Sequence, residues 1–367
     1  MHDLIAAPFQ DHHLILRPGS QRAVKIGAAR YADLEHAVAT GRHLPGWLAD
    51  VALRAWGVDT ADRTADTAVL IRARGPFEFS RATWEINLGC DFDCEHCYLG
   101  QKRFDSLSWD GKDHLLHVMR DAGVIWLQIT GGEPLIDPAF PAAYRLAHEL
   151  GMQVELLSNG SQLSKPRILD LLTTYPPTKM SLSVYGATAE TYDAVTRRRG
   201  AFQRFAKGLQ AAVEAGVNID LSLIITNRSA HEADAMQAWA DRLGLPRRQY
   251  ATISPTIHGG AEPLPSQSPE YLTHRKPFTG CPAGRTFFHV DPHGRASICK
   301  VGREPSIDIP TEGLTGLARL GSIADSLMLR TGGCSGCKLS GTCRVCRPMA
   351  KLLQTAKAPP HTYCQNA

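Results

Sequence analysis

Three cysteines stand at C-x3-C-x2-C spacing in Cys90-Asp91-Phe92-Asp93-Cys94-Glu95-His96-Cys97-Tyr98. Three thiolates on one short loop can wrap a single iron–sulfur cluster. Such clusters usually take four cysteine ligands, so three leave one iron open to another group. A zinc knuckle, using His96 as fourth ligand, and a disulfide pair are the alternatives. About 34 residues on, Gly131-Gly132-Glu133-Pro134 directly follows the apolar run Ile125–Thr130. Two residues without Cβ let a backbone approach a ligand closely. Glu133 beside them can accept a hydrogen bond from an ammonium group. The other seven cysteines are C-terminal: Cys281, Cys299, Cys334-x2-Cys337-x5-Cys343-x2-Cys346 and Cys364. A zinc ribbon over 334–346 would leave Cys281, Cys299 and Cys364 unexplained.

Length and composition bound the setting. A chain of 367 residues allows two or three domains. With 43% hydrophobic and 21% charged residues it reads as an ordinary soluble globular protein. A net charge of +4 suggests neither a nucleic-acid nor a membrane partner. The one tight basic run, Arg197-Arg198-Arg199, reads as a solvated loop. Met1 to His13 lacks the basic and apolar regions of a signal peptide. No apolar run reaches the ~20 residues of a membrane helix. The expected location is therefore cytoplasmic, where disulfides are rare and ten cysteines point to metal or catalysis.

Elements must then position these residues. Residues 1–78 read as a first unit: a hairpin of Leu14–Leu16 and Ala23–Ile26, helices near Tyr31–Thr40 and Pro45–Trp56, and a strand Ala68–Ile71. Residues 79–255 alternate strand and helix. Strands are expected at 82–88, 124–130, 153–157, 179–184, 219–225 and 249–253. Helices are expected at 108–123, from Asp137-Pro138 to Gly151, at 164–174, at 202–215 and after a capping box at Ser229–Glu232. Six such repeats predict an α/β fold with a parallel sheet. Residues 256–280, rich in Pro, Ser and Gly, read as a linker. Residues 281–367 show little helical periodicity before about 345, but Asp291-Pro292-His293-Gly294 sits between two short strands as a hairpin turn.

The cysteine loop followed by GGEP at a strand end resembles the radical S-adenosylmethionine (SAM) superfamily. The resemblance implies a partial (β/α)6 TIM-like barrel with ligands at the C-terminal strand ends. It implies that Cys90, Cys94 and Cys97 hold a 4Fe–4S cluster whose open iron chelates SAM. Reductive cleavage there yields a 5′-deoxyadenosyl radical. Tyr98, Gly131, Gly132, Glu133 and Pro134 are implied cofactor contacts, with Ser158, Asn159 and Ser183 at the next strand ends. Tyr185 stands where many relatives have Asp. Thr196, with Arg197 beside it, stands where some have an Arg, so Arg197 is the candidate for the SAM carboxylate.

The C-terminal array resembles the SPASM extension of peptide-modifying radical SAM enzymes. That resemblance implies two auxiliary 4Fe–4S clusters. Cys281, Cys299 and Cys346 would hold the first, and Cys334, Cys337, Cys343 and Cys364 the second. Only two residues, not the family's usual three, separate Cys343 from Cys346. Residues 1–78 are similar in element order to winged-helix-like modules that bind a leader peptide by strand addition; an extension that only packs on the barrel is the alternative. The expected function is a peptide maturase. It would abstract hydrogen from a ribosomal precursor peptide carrying a leader and form a C–C, C–O or thioether crosslink, with flavodoxin or ferredoxin as electron donor. The alternatives are oxidation of a small molecule or folded protein, and a non-catalytic iron–sulfur electron-transfer protein.

Overall fold

Alternation along the first strand decides how the N-terminal unit sits. The computed structural model describes residues 2–60, 62–271 and 277–366. Met1, Ala61, residues 272–276 and Ala367 fall outside it, and with them small parts of the expected first unit, linker and C-terminal segment. The unit runs β1 (Leu4–Phe9), β2 (His12–Leu16), β3 (Ala23–Ile26), α1 (Ala28–Ala39), α2 (Gly46–Trp56), α3 (Ala65–Ala68) and β4 (Val69–Ile71), in sheet order β3-β2-β1-β4. Leu4 and Ala6 face a core with Ile15, Leu34, Leu48 and Val69. Ile5 and Ala7 point to the opposite face and pack with Leu14, Leu16 and Ile125 of the larger unit. Strand β1 escaped the sequence reading because both its faces are buried, so Leu4-Ile5-Ala6-Ala7 shows no polar alternation. Buried Arg72 pins the junction, donating to the carbonyls of Val124, Gly151 and Arg120.

Six parallel strands follow in chain order: β5 (Arg81–Asn87), β6 (Trp126–Gly131), β7 (Gln153–Ser158), β8 (Lys179–Val184), β9 (Ile219–Ile224) and β10 (Arg247–Tyr250). Between them run α4 (Trp109–Asp121), α5 (Phe140–Glu149), α6 (Pro166–Thr174), α7 (Ala189–Thr196), α8 (Ala201–Glu214) and α9 (Ala233–Arg242). The sheet stays open, because β5 and β10 do not pair; β5 instead pairs in parallel with β11 (Phe287–Val290). The expected hairpin of β11 and β12 (Arg295–Ser297), extended by β13 (Ile307–Asp308), thus prolongs the main sheet to nine strands. Helices α10 (Ile309–Gly316), α11 (Leu320–Ser326) and α12 (Arg347–Thr355) complete the chain.

Several expectations change. Helix α7 was not foreseen; it is two turns long and sits in the cap region before α8. Helix α5 starts at Phe140, two residues late; the Asp137 carboxylate instead meets Lys112 at 2.7 Å in a buried ion pair and accepts the Ala139 N–H. The capping box at Ser229 does not form. Ser229 Oγ bonds Thr226 N–H and the Ile224 carbonyl, and Glu232 accepts from Ala187, Thr188 and Thr191 across the sheet. Helices α10 and α11 contradict the expected lack of helix before 345; their glycines and Pro310 mask a buried stripe of Ile309, Leu317, Leu320 and Ala324. The last parallel strand is Arg247–Tyr250, against the expected 249–253, and is exposed throughout.

Candidate active site

The two glycines of GGEP serve a contact within the protein. Gly132 N–H donates to the Asn87 carbonyl at 3.0 Å, and Glu133 N–H donates to the Gly89 carbonyl at 2.8 Å. A Cβ on Gly131 would lie 2.1 Å from the Asn87 oxygen, and one on Gly132 would lie 2.0 Å from the Gly89 oxygen. Gly131 also has φ +134, outside the usual range of L side chains. The close approach read for a ligand is thus made by the turn that launches the cysteine loop, and it locks the ends of β5 and β6 together.

Glu133 is fully buried and committed to protein donors. Oε1 accepts from Leu135 N–H at 3.1 Å and Ser158 Oγ at 2.8 Å; Oε2 accepts from Asn159 N–H at 2.6 Å. Burial pushes its carboxyl up to about 8, against the pull of these three bonds. Beside it Asn87 Nδ2 donates to the Glu133 carbonyl, while Asn87 Oδ1 is buried without a partner among the described residues.

The cysteine loop is held from two further sides. Asp91 accepts from Asn159 Nδ2 at 2.8 Å, Ser161 Oγ at 2.7 Å and Gln162 Nε2 at 3.0 Å. The C-terminus of α7 supplies carbonyls: Thr196 to Asp93 N–H at 2.9 Å and Val195 to Glu95 N–H at 3.1 Å. Cys90 Sγ receives Phe92 N–H at 3.4 Å and Asn159 Nδ2 at 3.7 Å. Burial pushes the Cys90 thiol up to about 12, with the Glu133 charge adding to it. Cys94 is also raised well above the usual thiol range, by burial and then by Cys90 and Cys97, which lie close enough to act on it. Tyr185 also bonds Cys94. His96 is half-buried and pushed down to about 4 by desolvation, and its Nδ1 has no partner among the described residues.

A charged cluster joins this loop to Cys299. Glu85, fully buried on β5, takes both arms of Arg303 at 3.0 and 2.8 Å and the Tyr98 hydroxyl at 3.2 Å. His289 Nε2 stands 3.5 Å from it, while His289 Nδ1 meets Thr83 Oγ1 at 2.8 Å. Burial would raise the Glu85 carboxyl, but His289 and Arg303 hold it far below the usual carboxylate range. The Lys300 ammonium sits 3.7 Å from the centre of the Tyr98 ring, and burial pushes it down to about 8. Tyr98 follows Cys97 and Lys300 follows Cys299, so this contact ties the two cysteine segments directly.

The remaining cysteines fall into groups. Cys334 and Cys343 are raised first by burial; Cys337 and Cys364 then act on both of them, and Cys334 acts on Cys343. Cys299 is raised by burial and feels Cys281. Among the described residues no three His, Cys, Asp or Glu side chains converge tightly enough to hold a single metal ion.

Of the residues expected at the site, Cys90, Cys94, Cys97, Gly131, Gly132, Glu133, Ser158 and Asn159 come together. Pro134 opens a short 3-10 turn behind them. Ser183 lies at the end of β8, its carbonyl accepting the Tyr192 hydroxyl. Arg197 is not brought in: it is an exposed left-handed cap on α7 at φ +49. The residues that sequence reasoning missed are Asp91, Glu85 and Asn87. Asp91 and Asn87 flank the motif, so an acid and an amide beside three thiols were the available signal. Glu85 reaches partners 218 residues away, which leaves no local trace.

The donors fit a cluster-binding loop. It brings Cys90, Cys94 and Cys97 to the C-terminal edge of the sheet, near enough that Cys90 and Cys97 act on Cys94, and among the described residues Asn87 Oδ1, Glu95 Oε1 and His96 Nδ1 have no hydrogen-bond partner. Residues 84–240 match the radical SAM superfamily. The chain is 28% identical over 179 residues to the AdoMet-dependent heme synthase of Methanosarcina barkeri, covering 48% of this chain and 51% of the relative. It is 30% identical over 247 residues to the mycofactocin maturase MftC of Mycobacterium ulcerans, covering 60% and 63%. The chain thus spans about half to three-fifths of the length of these relatives. In fold it is similar to Streptococcus suis SuiB, with a TM-score of 0.58 at 13% identity, covering 97% of this chain and 94% of SuiB. SuiB bound to its precursor peptide SuiA matches at a TM-score of 0.53 and 13% identity, covering 81% and 82%.

Proposed function

We propose, for a chain whose residues 84–240 belong to the radical SAM superfamily, that it is a peptide maturase that acts on a ribosomal precursor. The observation that carries the reading is the docking of Gly132 and Glu133 on the turn that launches Cys90, Cys94 and Cys97. When bound, a 4Fe–4S cluster on these three thiols supplies the electron that cleaves SAM to a 5′-deoxyadenosyl radical. The protein's part is to hold and shield. Asp91, Glu133, Asn159 and the α7 C-terminus fix the loop, and Tyr98, Gly131 and Ser158 line its foot. The relatives named for peptide maturation and the peptide-bound SuiB favour a peptide as substrate.

In the finer reading Cys334, Cys337, Cys343 and Cys364 hold one auxiliary 4Fe–4S cluster, while Cys281, Cys299 and Cys346 hold another as a SPASM extension. The mutual influence of the first four thiols supports that partition. The product is an intramolecular crosslink, and the surplus electron leaves through an auxiliary cluster. The half-exposed edge strand β3 supports leader binding by strand addition in residues 1–78. The similarity to a heme synthase keeps oxidation of a small molecule as the second reading.

Anaerobic reconstitution tests the core of this. Iron should approach about twelve per chain, and dithionite with SAM should give 5′-deoxyadenosine. Replacing Cys90, Cys94 and Cys97 together by Ala should abolish it; SAM cleavage by that soluble variant would sink the assignment. Excess free leader peptide should inhibit modification of the full precursor, and no inhibition would remove the leader-binding role.

A further inference from the structure

Beside the cysteine loop lies a cavity of about 360 Å³ that the reading above leaves unused. The stretch after Cys97 forms its floor. Ile257 N–H donates to the Tyr98 carbonyl at 2.7 Å, and Leu107 N–H donates to the Pro292 carbonyl at 2.9 Å. The segment around Ile257 therefore closes one side, and the β11–β12 turn closes the other. Leu88, next to Gly89 and Cys90, lines the side toward the cysteine loop, and Arg103, His258, His293, Arg295 and Arg303 line the rest together with two carboxylates.

The charges are unequally free. Asp291 and Glu304 also line the cavity, but Asp291 Oδ1 accepts the N–H groups of His293 and Arg295 at 2.9 Å, and Glu304 accepts from Ser306 at 3.4 Å. Arg303 is spent on Glu85, and His293 stands 3.6 Å from Asp105. Arg103 reaches only the uncharged Gln101 Oε1, at 3.1 Å. The Arg295 guanidinium has no ion pair among the described residues. Among the described residues the Arg103 and Arg295 guanidiniums thus stand at the cavity without an ion pair, while the two lining carboxylates bond uncharged donors. Next to Arg103, the Phe104 ring packs against Gly89, where a Cβ would come within 2.2 Å of it, and the side chain is otherwise open, at 70% exposure.

We propose that this cavity seats an acidic residue of the substrate peptide, its carboxylate taken by Arg103 and Arg295 and the adjacent apolar side chain resting on Phe104. The proposal rests on the peptide-maturase reading and adds a sequence preference to it. An acidic residue there anchors the chain at the mouth of the barrel, next to the turn that carries Cys90.

The test uses the reconstituted full-length protein and two fluorescein-labelled heptapeptides, one with two aspartates flanking a phenylalanine, the other with two asparagines. Anisotropy should show the acidic peptide binding about five- to tenfold tighter, the size that two solvent-facing charge pairs supply. The preference should fade at high salt. Arg103→Glu with Arg295→Glu should abolish it, and the double Lys variant should retain part; both positions are exposed, and circular dichroism checks the fold. Equal binding of the two peptides, or a preference that survives charge reversal, overturns the proposal. If the protein forms 5′-deoxyadenosine yet does not discriminate, the cavity proposal falls and the maturase reading stands. If it discriminates but forms none, the acidic site stands and the maturase reading falls.

Discussion

The loop of Cys90, Cys94 and Cys97 and the loop of Cys334, Cys337 and Cys343 carry the same number of thiols in opposite surroundings. The first is gripped from three sides: by the Glu133 N–H at the end of β6, by the Asn159 and Ser161 side chains after β7, and by the α7 carbonyls. The second is largely exposed and built from local turns. Cys337 N–H meets the Cys334 carbonyl at 3.3 Å, Ser340 N–H meets the Cys337 carbonyl at 3.0 Å, and Leu339 between them is 51% exposed. The contrast separates a site whose shape the protein sets in advance from one whose shape depends on what its thiols bind.

Removing iron should break the comparison most sharply. Chelation under reducing conditions should open residues 334–346 to proteolysis while β5–β9 keep their protection from hydrogen exchange. Equal protection of both regions after chelation would show that the second loop is also preformed. The next largest effect falls on the charged cluster. Glu85→Gln should cost about 3–5 kcal/mol in urea unfolding, because Arg303 keeps its buried charge without a partner. The carboxyl of Glu85 is lower in the folded than in the unfolded chain, so its contribution is complete above about pH 4.3 and fades as pH falls below that. The gap between wild type and variant should therefore shrink in acid; a gap that widens would reverse the assignment.

Gly132→Ala should cost about 3 kcal/mol, at the upper end of overpacking, since its Cβ meets the Gly89 oxygen at 2.0 Å with no side chain to yield. The same variant should lower iron retention at the first site and leave the C-terminal thiols unchanged toward a thiol reagent. At the small end, Gln365→Ala removes the bond from Arg344 N–H to Gln365 Oε1 at 2.8 Å. It should cost no more than about 1 kcal/mol. A larger loss, measured by thermal unfolding, would mean that the C-terminal loop is held by its own polar contacts after all.

What sequence could reveal follows the same divide. Strand β6 is visible as part of an apolar run and β7 to β9 as short apolar-rich stretches between helical patterns, and the turns GGEP and Asp291–Gly294 carry their own chemistry. The grip on the cysteine loop is invisible, because Asp91 bonds residues 68–71 positions away and Glu85 bonds Arg303 at 218. Glu133 looked available to a ligand for the same reason: nothing in its neighbourhood along the chain announces that Ser158 and Asn159 fill its oxygens. Glu232 misled as a cap because its partners, Ala187 to Thr191, come from another crossover.

The pairing of β11 with β5 has a consequence in time as well as space. Thr83 and His289 face each other across 206 residues of chain. During synthesis β5 can acquire β6 early, but its other edge stays unpaired until the chain beyond Val290 has emerged. At roughly 5–20 residues per second that interval is about 10–40 s. An open strand edge for that long invites pairing with another nascent chain. Ribosome density, chaperone supply and growth temperature should therefore govern the yield of soluble protein more than iron supply does.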